Sequence, residues 1–146
     1  MKWLICAFGK PALGFAKAGI AEYISRMERY APVETRYLKE SATAAENTKR
    51  QLEATAGTFR IVLDERGEIW DTLKFATTAG DWADRGTKKV SVLLGAASGH
   101  EHAVRNQADL MLALSRFTLQ HELALLLFTE QLYRAYTVIR GEPYHK

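Results

Sequence analysis

Two periods of hydrophobicity alternate along this chain. Met1–Phe8 is compact and apolar apart from Lys2 and is closed by Gly9, the pattern of a buried strand. Leu13, Ala16, Ile20, Tyr23, Ile24 and Met27 then recur at three- and four-residue steps. That spacing predicts an amphipathic helix from Pro11, which suits a first helical turn, to about Tyr30, with Pro32 as its stop. Val33–Leu38 alternates apolar and polar positions and reads as a second strand. Ser41–Ala56 is polar and Ala-rich with weak periodicity, consistent with a short helix behind a loop. Thr58–Asp64 predicts a third strand, Glu65–Gly67 a turn, and Thr72 the cap of a helix carrying Leu73, Phe75, Ala76 and Trp82 up to Gly86. Lys89–Gly95 is nearly all apolar and β-branched, as expected of a central parallel strand. A loop, a short helix over Ala103–Ala108, a fifth strand over Leu110–Leu114, the loop Ser115–Gln120 and a long helix over His121–Arg140 complete the chain.

Strand and helix alternate five times, which argues an α/β domain with a parallel sheet and helices on both faces. No linker, repeat or low-complexity tract divides residues 1–146, so one domain is expected. In open sheets of this kind ligands sit beyond the carboxyl ends of the strands. The loops after Leu63, Leu94 and Leu114 are therefore the places to look. The last helix carries a stripe of Leu125, Phe128, Leu132, Ala135 and Ile139, yet Leu123, Leu126 and Leu127 make its first half apolar nearly all round. Such a helix is buried on several sides, either deep in its own monomer or under a second subunit.

Composition narrows the picture modestly. Lys plus Arg number 20 against 17 for Asp plus Glu, a net charge of +3, which permits an RNA partner without demanding one. Cys6 is the only cysteine and sits in the apolar run, so it reads as a small core side chain, and no internal disulfide can form. The run Leu123–Phe128 is far shorter than the ~20 residues of a membrane span, and no signal peptide is evident, so a cytoplasmic protein is expected.

Candidate chemistry is sparse. "LLGAASGH" (Leu93–His100) places Gly95 and Gly99 after a buried strand, where backbone amides can approach a ligand; equally it is a plain strand-to-helix turn. His100 and His102 flank Glu101, but residues two apart on a helix do not share a face, and no metal site is expected. No nucleophile elbow is present. Thr118 or Gln120 can cap the last helix.

The segments "LDERG", "LLGAASG", "LALSRFTLQH" and "EQLYRAYTVIRGEPYHK", in this order, resemble the RlmH family of SPOUT methyltransferases. The likeness runs over nearly the whole chain and reaches "AFGK" and Glu22, Tyr23 and Arg26; the last segment is its most specific part, and Glu40–Ala56 carries little of it. The resemblance implies a deep trefoil knot in the C-terminal part of the α/β fold, with knot and cofactor site within about residues 90–146. It implies S-adenosylmethionine as cofactor, a homodimer, and methylation of N3 of a pseudouridine in large-subunit ribosomal RNA on the assembled ribosome. The family's cofactor contacts fall on Leu63, Gly95, Leu114, Ser115, Arg116, Phe117, Thr118 and Leu119. Its active site falls on Tyr144, His145 and Lys146, completed by both subunits.

This chain departs from the family pattern near the site. Ala96 stands where a second glycine is usual, Ser98 near an acidic position, Gln120 where Pro is common, and Leu125 in place of an Arg. Two readings follow: a divergent active methyltransferase, or a catalytically altered or inactive SPOUT-fold protein that binds RNA or ribosomes.

Overall fold

The computed structural model describes residues 1–146. In chain order it contains β1 (Lys2–Phe8), α1 (Gly14–Met27), β2 (Val33–Leu38), α2 (Ala44–Ala54), β3 (Phe59–Ile69), α3 (Thr72–Asp84), β4 (Lys89–Leu93), α4 (His102–Asn106), β5 (Leu110–Ala113) and α5 (His121–Ile139). The strands form one five-stranded sheet in the order β2-β1-β4-β3-β5, and every pair is parallel. β4 lies at the centre, as its nearly all-apolar sequence predicts.

Side chains that alternate along a strand point to opposite faces, and the two faces are covered differently. Trp3, Ile5, Ile61, Val90 and Val92 join α1, α3 and α5 in one large core, with Phe75 and Phe128 against Trp3. Val62 and Leu93 face the other way, onto Val104 of α4. Leu125, Phe128, Leu132 and Ala135 of the expected stripe are buried, but Ile139 is 41% exposed, because it occupies the last helical position beyond the sheet. Leu127 on α5 and Phe15 on α1 also remain exposed.

Several boundaries differ from the sequence reading, each for a local reason. The turn at Glu65–Gly67 does not form. β3 instead runs on to Ile69 with a bulge, and Leu112 of β5 pairs with both Leu63 and Glu68. Gly67 permits this. A Cβ there would lie 2.6 Å from the backbone of Met111 and Leu112. The cap of α3 is Asp71, whose Oδ1 accepts from Lys74 N at 2.7 Å; Thr72 is the first helical residue and donates to Gln131 Oε1. α1 begins at Gly14 rather than Pro11. Its entering amides, Ala12 N and Leu13 N, donate instead to Glu122 Oε1 of α5, at 2.5 and 3.0 Å. The weak periodicity of α2 also has a cause: two of its buried positions are the polar Asn47 and Gln51.

Candidate functional site

The carboxyl ends of β3, β4 and β5 surround a cavity of about 580 Å³, within the range of small-molecule sites. Three loops build its wall. The first is Leu63–Arg66, the β3 bulge; the second is Leu94–His100; the third combines Leu114, Ser115 and Phe117–His121 with Ala124 of α5. These are the loops after Leu63, Leu94 and Leu114 that strand order and topology single out.

The Leu94–His100 loop is a tight reversal. Gly99 N donates to Ala96 O at 2.8 Å, and Ala96 and Gly99 form an isolated antiparallel bridge. A Cβ on Gly95 would sit 3.0 Å from Gly99 C and 3.1 Å from His100 N, so only glycine fits without moving the opposite limb. Ala96 has no positive φ, so the methyl at this position brings no backbone strain. His100 turns its ring back under the loop, and its Nε2 donates to Leu93 O at 3.1 Å. Burial pushes its pKa below the ordinary imidazole value, partly offset by the carbonyl of Leu93. Asp64, its side chain only 6% exposed, is balanced by Arg66 at 3.5 Å and Arg105 at 3.8 Å.

The third loop is fastened to the β3 bulge. Arg116 Nη1 donates to Glu65 O at 2.6 Å and Gly67 O at 3.2 Å, and Thr118 Oγ1 donates to Glu65 Oε2 at 3.0 Å. Of the eight residues expected to contact cofactor, Leu63, Gly95, Leu114, Ser115, Phe117, Thr118 and Leu119 line the cavity. Arg116 does not. Its guanidinium is engaged by the two carbonyls and acts as a pin between loops. Phe117 is 84% exposed at the rim. Gln120 caps α5, accepting from Glu122 N and Leu123 N, which explains how the position works without a proline. Leu125 is 3% exposed within the core, so no vacant charge site lies behind the missing arginine.

The closing segment lies elsewhere on the protomer. Tyr144 packs edge-on against Tyr133 at 4.7 Å, donates to Glu130 Oε1 at 3.0 Å, and carries the Arg134 guanidinium over its ring. Burial, reinforced by Tyr23 and the Glu130 carboxylate, raises its phenol pKa strongly. Arg134 Nη1 lies 3.3 Å from His145 Nδ1. Glu142 anchors the turn before them, accepting from Arg29 and from Tyr30. None of Tyr144, His145 and Lys146 lines the cavity of its own chain. Along α5, Glu130 and Arg134 stand nine and thirteen residues past His121, roughly 14–20 Å at 1.5 Å per residue. The structure thus gathers the cofactor candidates but leaves the three catalytic candidates apart from them.

Several cavity residues went unmarked as ligand contacts in the sequence: Asp64, Glu65 and Arg66 in the bulge, and His121 and Ala124 at the start of α5. The bulge has no sequence signal beyond Gly67. Cys6 is fully buried, and burial pushes its thiol up to about 11, so it is no nucleophile. No group of three or more His, Cys, Asp or Glu side chains is placed to hold a metal, and no helix is long and apolar enough to cross a membrane.

A family model described as a predicted SPOUT methyltransferase matches residues 1–145. The chain belongs to that family. A "Ribosomal RNA large subunit methyltransferase H" of Thermus thermophilus is 40% identical over 146 residues, covering 100% of this chain and 99% of the relative. The protein of the same name from Syntrophobacter fumaroxidans is 38% identical over 149 residues, covering 94% and 95%. Among solved structures, the SpoU methyltransferase AviRb from Streptomyces viridochromogenes, in complex with AdoMet, is similar over 93% of this chain and 57% of its own, with a TM-score of 0.43 and 13% identity. That likeness is too distant to bear on the site. Family membership places the three-loop cavity in a methyltransferase.

Proposed function

We propose that this protein transfers a methyl group from S-adenosylmethionine to a base of large-subunit ribosomal RNA, N3 of a pseudouridine on the assembled ribosome, in a homodimer. The observation that carries the reading is the cavity itself. Its backbone-rich loops offer amide and carbonyl groups for the edges of a purine and its sugar. Leu63, Leu94, Leu114, Leu119 and Ala124 offer apolar surface for the faces. When bound, the cofactor supplies an electrophilic methyl on a sulfonium. The protein's own task is to align the base and favour its deprotonated nitrogen.

Tyr144, His145 and Lys146 are the residues for the base. Tyrosine and histidine can stack on or hydrogen-bond an unstacked nucleotide, and lysine favours developing negative charge. Their distance from the cavity of their own chain supports completion by a second copy, whose closing segment then reaches this cavity. The exposed Phe15 and Leu127 on neighbouring α1 and α5 fit the same arrangement. The proposal includes the C-terminal knot that the family resemblance implies; the side-chain ties from Arg116 and Thr118 to the β3 bulge support a loop held in a threaded position.

The departures at the site favour an enzyme over a binding protein. Ala96 is unstrained, Gln120 caps, and Leu125 fills core.

A mixing experiment tests the reading. Labelled methyl transfer to intact ribosomes is measured for two variants, one truncated before Tyr144 and one carrying Gly95→Val to block the cavity. Each alone is inactive. Co-expressed, they regain activity, because one mixed site pairs an open cavity with an intact closing segment. No recovery, with mixed dimers present, would mean that each chain serves its own site. No transfer by the native protein to any ribosomal RNA would remove the methyltransferase reading.

A further inference from the structure

The cofactor loop rests on α2 and the residues leading into it, the part of the chain with the weakest pattern. Gln51 is 1% exposed, and its side-chain amide sits between the ends of two central strands. Nε2 donates to Leu94 O at 2.8 Å and faces Cys6 O at 3.4 Å. Cys6 O already accepts from Leu94 N at 3.0 Å, so the amide of Gln51 closes a small ring of polar groups at the point where β4 becomes the loop. Further along, Ala97 N donates to Glu40 Oε1 at 3.3 Å, and Thr48 Oγ1 donates to Glu101 Oε2 at 3.2 Å. The loop is therefore tied at its start, apex and end to one supporting segment, Glu40–Gln51.

We propose that this segment is the buttress of the cofactor loop and that Gln51 is its principal positioning residue. Gln51 does not line the main cavity. It acts through Leu94 O, by fixing the height at which Gly95 begins its turn. A buried carbonyl stripped of its donor must find another partner, and the nearest route is for the loop to lift towards water. The two limbs of the turn are so closely apposed that a Cβ on Gly95 would lie 3.0 Å from Gly99 C, so a lift at Leu94 carries both limbs with it. This inference rests on the proposed function in taking S-adenosylmethionine as the occupant; the mechanical part stands without it.

The test uses Gln51→Met, which keeps the length and cannot donate, and Gln51→Asn, which keeps the amide but falls one methylene short. Lys49→Ala, on the exposed side of α2, is the control. Two quantities are read: S-adenosylmethionine affinity by calorimetry, and hydrogen exchange of the Gly95–Gly99 amides against those of β4. Both Gln51 variants are expected to weaken binding about tenfold, the scale of one neutral hydrogen bond. Exchange should quicken in the loop while β4 stays protected, and the maximal rate at saturating cofactor should hold. Lys49→Ala should change neither. Unaltered affinity and loop exchange in a folded Gln51 variant would overturn the proposal, as would equal loosening of loop and β4. If the native protein takes up no S-adenosylmethionine, the functional reading fails, and loop exchange alone still decides the buttress. If Gln51→Met does not fold, the shorter Gln51→Asn carries the same two readouts.

Discussion

Gly95→Ala isolates the steric limit of the cofactor loop. Gly95 does not have a positive φ, so alanine meets no backbone penalty there. The added methyl would stand 3.0, 3.1 and 3.2 Å from Gly99 C, His100 N and Gly99 Cα. Ordinary carbon contacts sit at about 3.5–4.0 Å, so three backbone atoms must each retreat by roughly half an ångström. Overpacking of this kind typically costs ~1–3 kcal/mol. Where that cost falls decides the outcome. Residues 97–99 are exposed, so the free protein can relieve the clash by opening the turn towards solvent. A ligand gripped by the closed turn must then supply the closing energy. Affinity for S-adenosylmethionine should fall about 5- to 150-fold, the equivalent of ~1–3 kcal/mol. The melting temperature of the free protein should shift by only a few degrees, since less than ~1 kcal/mol is lost there. Calorimetric titration and thermal unfolding of the same preparation provide both numbers. Unchanged affinity would refute the reasoning, because it would mean that the closed turn is not the binding form. A large fall in melting temperature with matching loss of affinity would refute the division between the two states.

Three other outcomes are expected. Glu122→Ala leaves Ala12 N and Leu13 N without their carboxylate, so it should cost ~2–3 kcal/mol and about 5–10 °C in thermal unfolding; Glu122→Gln, which keeps one acceptor oxygen, should recover part of the loss. Because burial lowers the His100 pKa, the folded protein binds a proton less readily than the unfolded chain, whose imidazole has the ordinary value of 6.5. Stability at His100 is therefore complete above that pH and is lost as pH falls towards the folded value, so denaturant midpoints taken from pH 7 downwards should decline less steeply in His100→Gln. Tyr144→Phe removes the hydroxyl that donates to Glu130, and should lower methyl transfer about tenfold while cofactor affinity stays within twofold; equal loss of both would place Tyr144 against the cofactor instead.

The alternation of apolar runs with three- and four-residue steps fixed the order of elements, because each signal is local: a strand or an amphipathic helix declares its buried side within a few residues. The central place of β4 followed from its having almost no polar side. The strand-end loops were legible for the same reason; the eight cofactor candidates came from the family resemblance instead, and seven of them line the cavity at those loops. What stayed hidden required contacts between distant residues. The bulge after Leu63 exists because Gly67 lets β5 approach it, and nothing within "DERG" distinguishes that from a turn. Arg116 falls in a loop of ligand candidates, and only the structure shows its guanidinium reaching the carbonyls of Glu65 and Gly67. α2 looked uninformative since its buried residues are polar; Gln51 is inside because strand-end carbonyls more than forty positions away need a donor. The separation of Tyr144 from the cavity is likewise set by the length of α5 and by the aromatic packing of Tyr133, neither of which the tail motif expresses as a sequence. Local periodicity determined which elements form, and long-range hydrogen bonding and steric fit decided how their ends are joined into a site.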